Sequence, residues 1–245
     1  MESRADHMKE IFLTAHWKYL AMINYEVDPT ILKSYLPQGV ELDFFEGRCF
    51  ASMVGFLFDQ TKVKGIAIPF HRSFEEVNLR FYVRRETAEG IKRGVVFIRE
   101  IVPRWMIAWV ARTLYHENYV SMPMDHPCQF KNGIPLSVDY RWKYHQRWNS
   151  LSVTTQGEAF QPTPGSHEEF IAEHYWGYVK VSEEKTVEYA VEHPPWKVWS
   201  AQKAFLDCDI EKIYGKEFVP FLKTKPYSAF LAEGSSVMVR AGTKI

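Results

Sequence analysis

The strongest constraint on the fold of this chain is the alternation of apolar and polar residues over Phe74–Arg85. One face of this segment is apolar and consists of Val77, Leu79, Phe81 and Val83. The other face presents an acid, an amide, a guanidinium and a phenol, from Glu76, Asn78, Arg80 and Tyr82. A period of two residues is that of a β-strand. The segment therefore predicts a strand with one packed face and one polar face, which meets either water or an enclosed interior.

Aromatic residues and turn signals extend this β-rich pattern along the chain. Phe, Trp and Tyr make up 16% of the residues, and such side chains favour strands. Further strands are predicted over Val40–Phe45, Arg48–Phe58, Gly94–Val102, Ser137–His145, Trp148–Gly157, Tyr175–Val181, Thr186–Glu192, Lys197–Leu206, Ser228–Ala232 and Ser236–Arg240. The first two and the last two of these form predicted hairpins, about Glu46-Gly47 and Glu233-Gly234.

Helices are fewer. Four are predicted: a two-turn helix after Asp28-Pro29, a longer one from Pro103 that ends near Tyr115–Asn118, one from the capping box Ser166-x-x-Glu169 to Ala172, and one over Asp209–Tyr214. The predicted fold class is α+β and dominated by β structure. We expect an antiparallel sheet, curved or closed as a β-barrel or cone, with a few peripheral helices.

Composition limits the partners and the domain count. The chain has 245 residues, with 30 basic and 30 acidic side chains, so no broad cationic field is available for nucleic acid or an anionic membrane. A single domain is expected over residues 8–245, with residues 1–7 an added or disordered segment. The N-terminus has no secretory pattern and the three cysteines form no CxxC pair, which favours a cytoplasmic location. Near-zero net charge and aromatic richness favour a homodimer.

No common cofactor or metal motif is present. The sequence has no GxGxxG, Walker, HExxH or GxSxG pattern, and its nine histidines do not fall at metal-ligand spacing. We therefore expect no metal site and no cofactor. The loops Gln60–Pro69, Met122–Pro135 and Gln161–Ser166 are short enough for one compact domain.

The candidate site residues come from polar groups in or beside the predicted strands. Glu76, Arg80 and Glu100 are the catalytic candidates, because carboxylates move protons and a guanidinium binds carboxylates. Glu100 is placed on one face with Val96 and Ile98, where a carboxylate needs a partner such as Arg80 or has a raised pKa. The candidate ligand-binding residues are His71, Asn78, Tyr82, Tyr115, Glu117 and His174. For each of them a purely structural role, as a solvated or capping group, is the alternative.

Several segments carry a resemblance to a known family. They are Asn24–Pro29, Tyr35–Asp43, Ile68–His71, Phe74–Val83, Gly94–Ile98, Glu173–Tyr178 and Ser228–Ser235. On these residues the chain resembles the YqjF-like bacterial proteins of unknown function, from Trp17 to Val239. That family is similar in fold to acetoacetate decarboxylase, whose strands curve around a cavity with helices outside. The resemblance implies the same fold here and does not imply an activity.

The decarboxylase forms a Schiff base on one of two adjacent lysines, and this resemblance raises the question of a similar reaction. The segment Arg99-Glu100…Pro103 resembles the one that carries those lysines, but Arg104 and Trp105 follow it here. An arginine stays protonated and cannot form the Schiff base. Glu76 is similar in position to the glutamate of the cavity-facing strand.

Three functions remain open from the sequence. The first is a small-molecule cavity that performs acid–base chemistry on an enolisable or carboxylated metabolite without the paired lysines. The second is a non-catalytic protein that binds an apolar or aromatic ligand. The third is an interaction protein with an exposed aromatic surface.

Overall fold

The computed structural model of the protein describes residues 9–104 and 118–245. The helix predicted from Pro103 to Tyr115 lies almost entirely outside the described residues. Within the described residues no helix is both long and apolar enough to cross a membrane.

The described residues form fifteen strands, four short α-helices and two 3₁₀ turns. The strands are β1 Ile11–Glu26, β2 Glu41–Leu42, β3 Phe50–Val63, β4 Phe74–Thr87, β5 Gly90–Val102, β6 Tyr119–Ser121, β7 Met124–Asp125, β8 Cys128–Lys131, β9 Ile134–Tyr144, β10 Arg147–Phe160, β11 Trp176–Ser182, β12 Lys185–Glu192, β13 Val198–Asp207, β14 Ser228–Arg240 and β15 Thr243–Lys244. The helices are α1 Pro29–Leu32, α2 His167–Ala172, α3 Ile210–Ile213 and α4 Val219–Leu222, with 3₁₀ turns over Lys33–Tyr35 and Lys216–Phe218.

Seven strands close into a ring. Their order is β12-β11-β5-β4-β3-β1-β14, and β14 pairs back with β12 through Val191↔Val239. All of these pairs are antiparallel except β11 with β5. The sheet then continues from β14 through β13, β10 and β9. This confirms the predicted β-dominated fold with its curved and closed sheet.

In β4 the residues of both faces are buried, and the two faces pack into separate apolar clusters. The inner cluster includes Leu20, Val54, Phe56, Phe74 and Val95. The outer cluster includes the odd-numbered residues Val77, Leu79, Phe81 and Val83, together with Tyr140 and Trp142 of β9. The hydroxyl of Tyr140 donates a 2.8 Å hydrogen bond to the carbonyl of Tyr19 in β1. The strands β9 and β10 therefore cover the outside of the ring, and the other face of β4 is turned inward.

The two sequence signals for helix starts are confirmed. The carboxylate of Asp28 accepts a 2.8 Å hydrogen bond from the amide of Thr30, with Pro29 as the first helical residue. The hydroxyl of Ser166 accepts one of 3.2 Å from the amide of Glu169 at the start of α2. Both caps satisfy amides that the first helical turn leaves without a partner.

The predicted hairpin about Glu233-Gly234 is wrong. Residues Ser228–Arg240 form one continuous strand, which pairs with β1 along its length. Gly234 lies opposite Lys18 with φ of 81°, beside Tyr19 with φ of 55°. The glycine therefore permits a close approach of the β1 and β14 backbones within the sheet and does not form a turn. A glycine in a strand pattern can indicate either feature.

The hairpin about Glu46-Gly47 is only partly correct. Phe45 and Arg48 form an isolated bridge across this turn. Beyond it the two segments separate: β2 pairs with β4, and β3 pairs with β1 and β4. Strand β1 was not predicted, and the supposed loop Met122–Pro135 contains β7, β8 and the first residues of β9.

Candidate functional site

The ring encloses a cavity of about 180 Å³. Each of the seven ring strands contributes at least one lining residue. The even-numbered residues of β4 from Phe74 to Arg80 line this cavity, whereas the odd-numbered residues from Val77 to Val83 pack outside the ring. The polar face predicted from the alternation of Phe74–Arg85 therefore meets an enclosed interior and not bulk water.

Aromatic side chains form much of the cavity wall. The indole of Trp17 lies 5.1 Å from the ring of Phe56, centroid to centroid, and Phe58 stacks on Phe74 at 4.6 Å. His193 stacks on Trp196 at 3.9 Å, and its Nδ1 donates to the carbonyl of Pro194. Burial lowers the pKa of His193 to about 4, so the ring is neutral near pH 7. The wall is therefore suited to the apolar or aromatic part of a ligand.

Glu76 is the buried acid of the cavity. Its Oε1 accepts a 2.9 Å hydrogen bond from Asn78, and its Oε2 accepts one of 3.0 Å from the hydroxyl of Tyr119. Burial raises the pKa of Glu76 to about 7, although these two hydrogen bonds and the charge of Arg80 act in the opposite direction. The carboxyl group is therefore balanced between its two protonation states near neutral pH, as a general acid or base requires.

Glu100 also lines the cavity, but on a different face from the one predicted. The register of β4 with β5 runs from Leu79↔Arg99 to Arg80↔Phe97 and so skips Ile98. This β-bulge turns Glu100 inward with Phe97, whereas Ile98 packs in the outer cluster. A bulge shifts the alternation by one residue, which strict alternation could not foresee. In register, Glu100 lies between Asn78 and Tyr119.

Arg80 is buried in the cavity wall, with 9% of its surface exposed. Its Nη2 donates a 3.2 Å hydrogen bond to the carbonyl of Ile171, and its guanidinium lies 5.6 Å from the ring of Tyr82. Its Nε is buried without a hydrogen-bond partner in the described part of the chain. The predicted ion pair of Arg80 with Glu76 or Glu100 does not form. The carboxyl of Glu76 is instead held by two uncharged groups. Among the described residues, no carboxylate is therefore in contact with the Arg80 guanidinium.

His174 lies on the cavity wall and contacts Asp43, which in turn is paired with Arg93. Its Nε2 is 3.2 Å from Oδ2 of Asp43, which also accepts a 2.6 Å hydrogen bond from Nε of Arg93. These partners overcome the effect of burial and lower the pKa of Asp43 to about 2. Burial lowers the pKa of His174 to about 4, and the charges of Arg93 and Arg80 add to this effect. The pair is therefore an Asp43 carboxylate and a neutral imidazole at pH 7.

The remaining candidate residues are distributed as follows. His71 and Asn78 line the cavity, and Nδ1 of His71 lies 2.8 Å from the carbonyl of Pro69. Tyr82 is fully buried one layer behind the wall, where its hydroxyl is 2.7 Å from that of Ser52. Tyr115 and Glu117 lie outside the described residues. Six of the nine candidates thus line one cavity: Glu76, Arg80, Glu100, His71, Asn78 and His174.

The sequence patterns did not identify Asp43, Arg93 or the individual residues of the aromatic wall, although an aromatic cavity was one of the expectations. Asp43 follows β2, and its amide donates a 3.0 Å hydrogen bond to the carbonyl of Tyr82. His174 comes 131 positions later in the chain. No local pattern links such distant residues, but the aromatic fraction of 16% was a usable signal for the wall.

No lysine is among the described lining residues, and the segments 1–8 and 105–117 contain no lysine in their sequence. Lys92, two residues before the predicted strand Gly94–Val102, lies within β5. Its Nζ is 3.0 Å from Glu188 and 3.7 Å from the centroid of the Trp176 ring. Among the described residues, no group of three His, Cys, Asp or Glu side chains is arranged to hold a metal ion.

Solved structures of low sequence identity share this fold. Acetoacetate decarboxylase from Legionella pneumophila matches with a TM-score of 0.66 at 12% identity, over 100% of this chain and 96% of that one. The enduracididine biosynthesis enzyme MppR, complexed with pyruvate, matches with a TM-score of 0.67 at 14% identity, over 97% and 91% of the two chains. At these identities the likeness concerns the fold alone.

Sequence relatives give the family. The uncharacterized protein YqjF of Bacillus subtilis (strain 168) is 27% identical over 195 residues, which is 76% of this chain and 74% of YqjF. The DUF2071 family, described as an uncharacterized conserved protein, matches residues 14–236. With nearly the whole ring and its cavity inside the matched region, this chain belongs to the DUF2071 family.

Proposed function

We propose that the cavity binds a small organic acid, with the carboxylate at Arg80 and the apolar part against the aromatic wall. The observation that carries this proposal is the buried guanidinium of Arg80, which lines the cavity and has no carboxylate partner in the described part of the chain. Burial of a charge is costly unless a counter-charge or hydrogen bonds compensate it. A ligand carboxylate would supply both, since a guanidinium presents several donors in one plane.

The aromatic wall determines the chemical character of the rest of the ligand. Trp17, Phe56 and Trp196 offer apolar surface on the same cavity that contains Arg80. A ligand with a carboxylate at one end and an aromatic or aliphatic body satisfies both environments. The bound pyruvate of the structurally similar MppR is compatible with a carboxylate in a cavity of this fold.

Acid–base chemistry at the bound acid is the catalytic part of the proposal. With a pKa of about 7, Glu76 can accept and return a proton at neutral pH. For a 2-oxo acid, the C3–H bond would break, its proton would move to the Glu76 carboxylate, and its electron pair would form the enolate. The charge of Arg80 would favour that anion. No Schiff-base step is included, because no lining lysine is available for it.

A non-catalytic binding protein is the second candidate, and the aromatic wall favours it. The two candidates share the binding of the ligand and differ in the role of Glu76. If the protein only binds, substitution of Glu76 should alter affinity without affecting any proton exchange of the ligand.

Binding is tested by titrating 3-phenylpropionate and the neutral 3-phenylpropanol by calorimetry. We expect the acid to bind more tightly than the alcohol by about 10- to 100-fold, since hydrogen bonds to charged groups contribute about 1.5–3 kcal/mol. Arg80→Met should abolish this preference. Arg84→Met is the matched control, since Arg84 is in the same strand but is half-exposed and paired with Glu41. An equal affinity for acid and alcohol would contradict the proposal.

Catalysis is tested separately by deuterium exchange at C3 of phenylpyruvate in D₂O, followed by proton NMR. The parent protein should accelerate the exchange over the buffer rate, and Glu76→Gln should bind the acid without acceleration. Binding without any acceleration by the parent would leave the non-catalytic candidate.

A further inference from the structure

The cavity contains a second polar group whose bonding is incomplete. Nδ1 of His174 is buried and has no hydrogen-bond partner in the described residues. The side chain of His174 is 1% exposed, and the residue lines the cavity. A buried polar atom without a partner loses the hydrogen bonds it had with water.

Asp43 and Arg93 together determine which ring nitrogen of His174 carries the proton. Oδ2 of Asp43 is held by Arg93 at 2.6 Å and is therefore a carboxylate oxygen, which can only accept. The contact of 3.2 Å with Nε2 of His174 then requires the hydrogen on Nε2. In a neutral ring this leaves Nδ1 as a bare acceptor. Asp43 and Arg93 are thus positioning residues for His174.

The same surroundings keep His174 from becoming a cation. The guanidinium groups of Arg80 and Arg93 both act on the ring, and Asp43 is the charged group that opposes them. The rings of Tyr82 and Phe170 also pack against it, with centroid distances of 4.8 Å and 5.1 Å. Because the ring stays neutral, Nδ1 offers a lone pair to a ligand and does not compete with Arg80 for the carboxylate.

We propose that Nδ1 of His174 accepts a hydrogen bond from the ligand, so that the cavity selects acids that also carry a hydroxyl or N–H donor. This inference rests on the proposed carboxylate site. Arg80 and His174 lie on the same side of the cavity, since both contact the ring of Tyr82. The donor therefore lies close to the carboxylate of the ligand, as in a 2-hydroxy acid. An acid that lacks the donor would leave the buried nitrogen without a partner and bind more weakly.

Two probes that differ in one hydroxyl group test this inference. They are 3-phenyllactate and 3-phenylpropionate, titrated against the parent protein by calorimetry. We expect 3-phenyllactate to bind about tenfold more tightly or better, the effect of one hydrogen bond to a buried acceptor. Equal affinities, with binding of both acids still dependent on Arg80, would overturn the role of His174 and leave the carboxylate site intact. If neither acid binds, the carboxylate site and this inference both fail.

The discriminating variant is His174→Gln, which retains a donor toward Asp43 and removes the acceptor at the Nδ1 position. The preference for 3-phenyllactate should disappear, so that the variant binds the two acids with affinities within about twofold of each other. His174→Leu, which has no acceptor at all, is the second variant and should give the same result. A preference that survives in both variants would overturn the inference.

The tautomer can be measured on the ligand-free parent protein, with His174→Gln used only to assign the signal. Long-range ¹H–¹⁵N correlation spectra of the imidazole rings distinguish a proton on Nε2 from one on Nδ1. We expect one neutral ring, absent from the spectrum of His174→Gln, with its proton on Nε2 at pH 7. A proton on Nδ1, or a doubly protonated ring at pH 7, would overturn the inference.

Discussion

Asn78 donates a hydrogen bond of 2.9 Å from its Nδ2 to Oε1 of Glu76, two positions earlier in the same strand. Both side chains point into the ring, where each is 2% exposed. The amide supports the charged form of the carboxyl group, and burial supports the neutral form. Because burial is the larger effect, the pKa of Glu76 rises to about 7.

This raised pKa predicts how folding stability depends on pH. Glu76 has a folded pKa of about 7 against an ordinary value of 4.5, so its contribution is fully present below pH 4.5 and is lost as the pH rises to about 7. The loss is on the order of 3 kcal/mol. In Glu76→Gln the free energy of unfolding should fall less over this range, as measured by urea denaturation from pH 4 to 8. Parallel curves for parent and variant would show that Glu76 does not titrate in this window.

Arg80 is predicted to contribute to binding at the expense of stability. Among the described residues its buried guanidinium makes one hydrogen bond, of 3.2 Å, and its Nε has no hydrogen-bond partner, so Arg80→Met removes a poorly compensated charge. We expect the free energy of unfolding of the ligand-free variant to fall by less than about 1 kcal/mol, or to rise. A loss of about 3–5 kcal/mol would instead indicate that Arg80 compensates a buried carboxylate.

Gly234 and Gly65 form a matched pair for testing the close approach of β1 and β14. Both have positive φ, 81° and 78°, but a Cβ at Gly234 would lie 2.0 Å from the carbonyl oxygen of Trp17, whereas nothing lies within 4 Å of one at Gly65. Gly65→Ala should therefore cost about 1–2 kcal/mol for its backbone conformation. Gly234→Ala should cost roughly 1–3 kcal/mol more, because backbone atoms must move. Equal losses in thermal denaturation would contradict this packing of β1 on β14.

The absence of a lining lysine predicts the outcome of a trapping experiment. Treatment with acetoacetate and borohydride should leave the intact mass of the protein unchanged, because the reducible Schiff base needs a primary amine at the site and the described lining residues include no lysine. A mass increase that peptide mapping assigns to Lys92 would show that this side chain leaves Glu188 and reaches the cavity.

Much of the β architecture follows from the sequence, because it depends on local periodicity. The alternation in Phe74–Arg85 places Glu76, Asn78 and Arg80 on one face, and the structure places all three in one cavity. Short-range caps at Asp28 and Ser166 were equally readable, since a cap involves residues two or three positions apart.

The rest of the site depends on features that no local pattern contains. The bulge at Ile98 turns Glu100 inward. The single extra residue of a bulge cannot be recognised from the sequence pattern of the strand. The contact between Asp43 and His174 depends on how helix α2 meets the chain beyond β2. The glycine of Glu233-Gly234 permits either a turn or a close approach, and only the pairing with β1 decides between them.

The central claim is that a carboxylate binds at Arg80 inside the ring, and a crystal structure with 3-phenylpropionate tests it most directly. We predict the carboxylate within hydrogen-bond distance of the Arg80 guanidinium and the phenyl ring against Trp17, Phe56 and Trp196. A phenylpropionate bound outside the ring, or one inside it with its carboxylate directed away from Arg80, would contradict the claim.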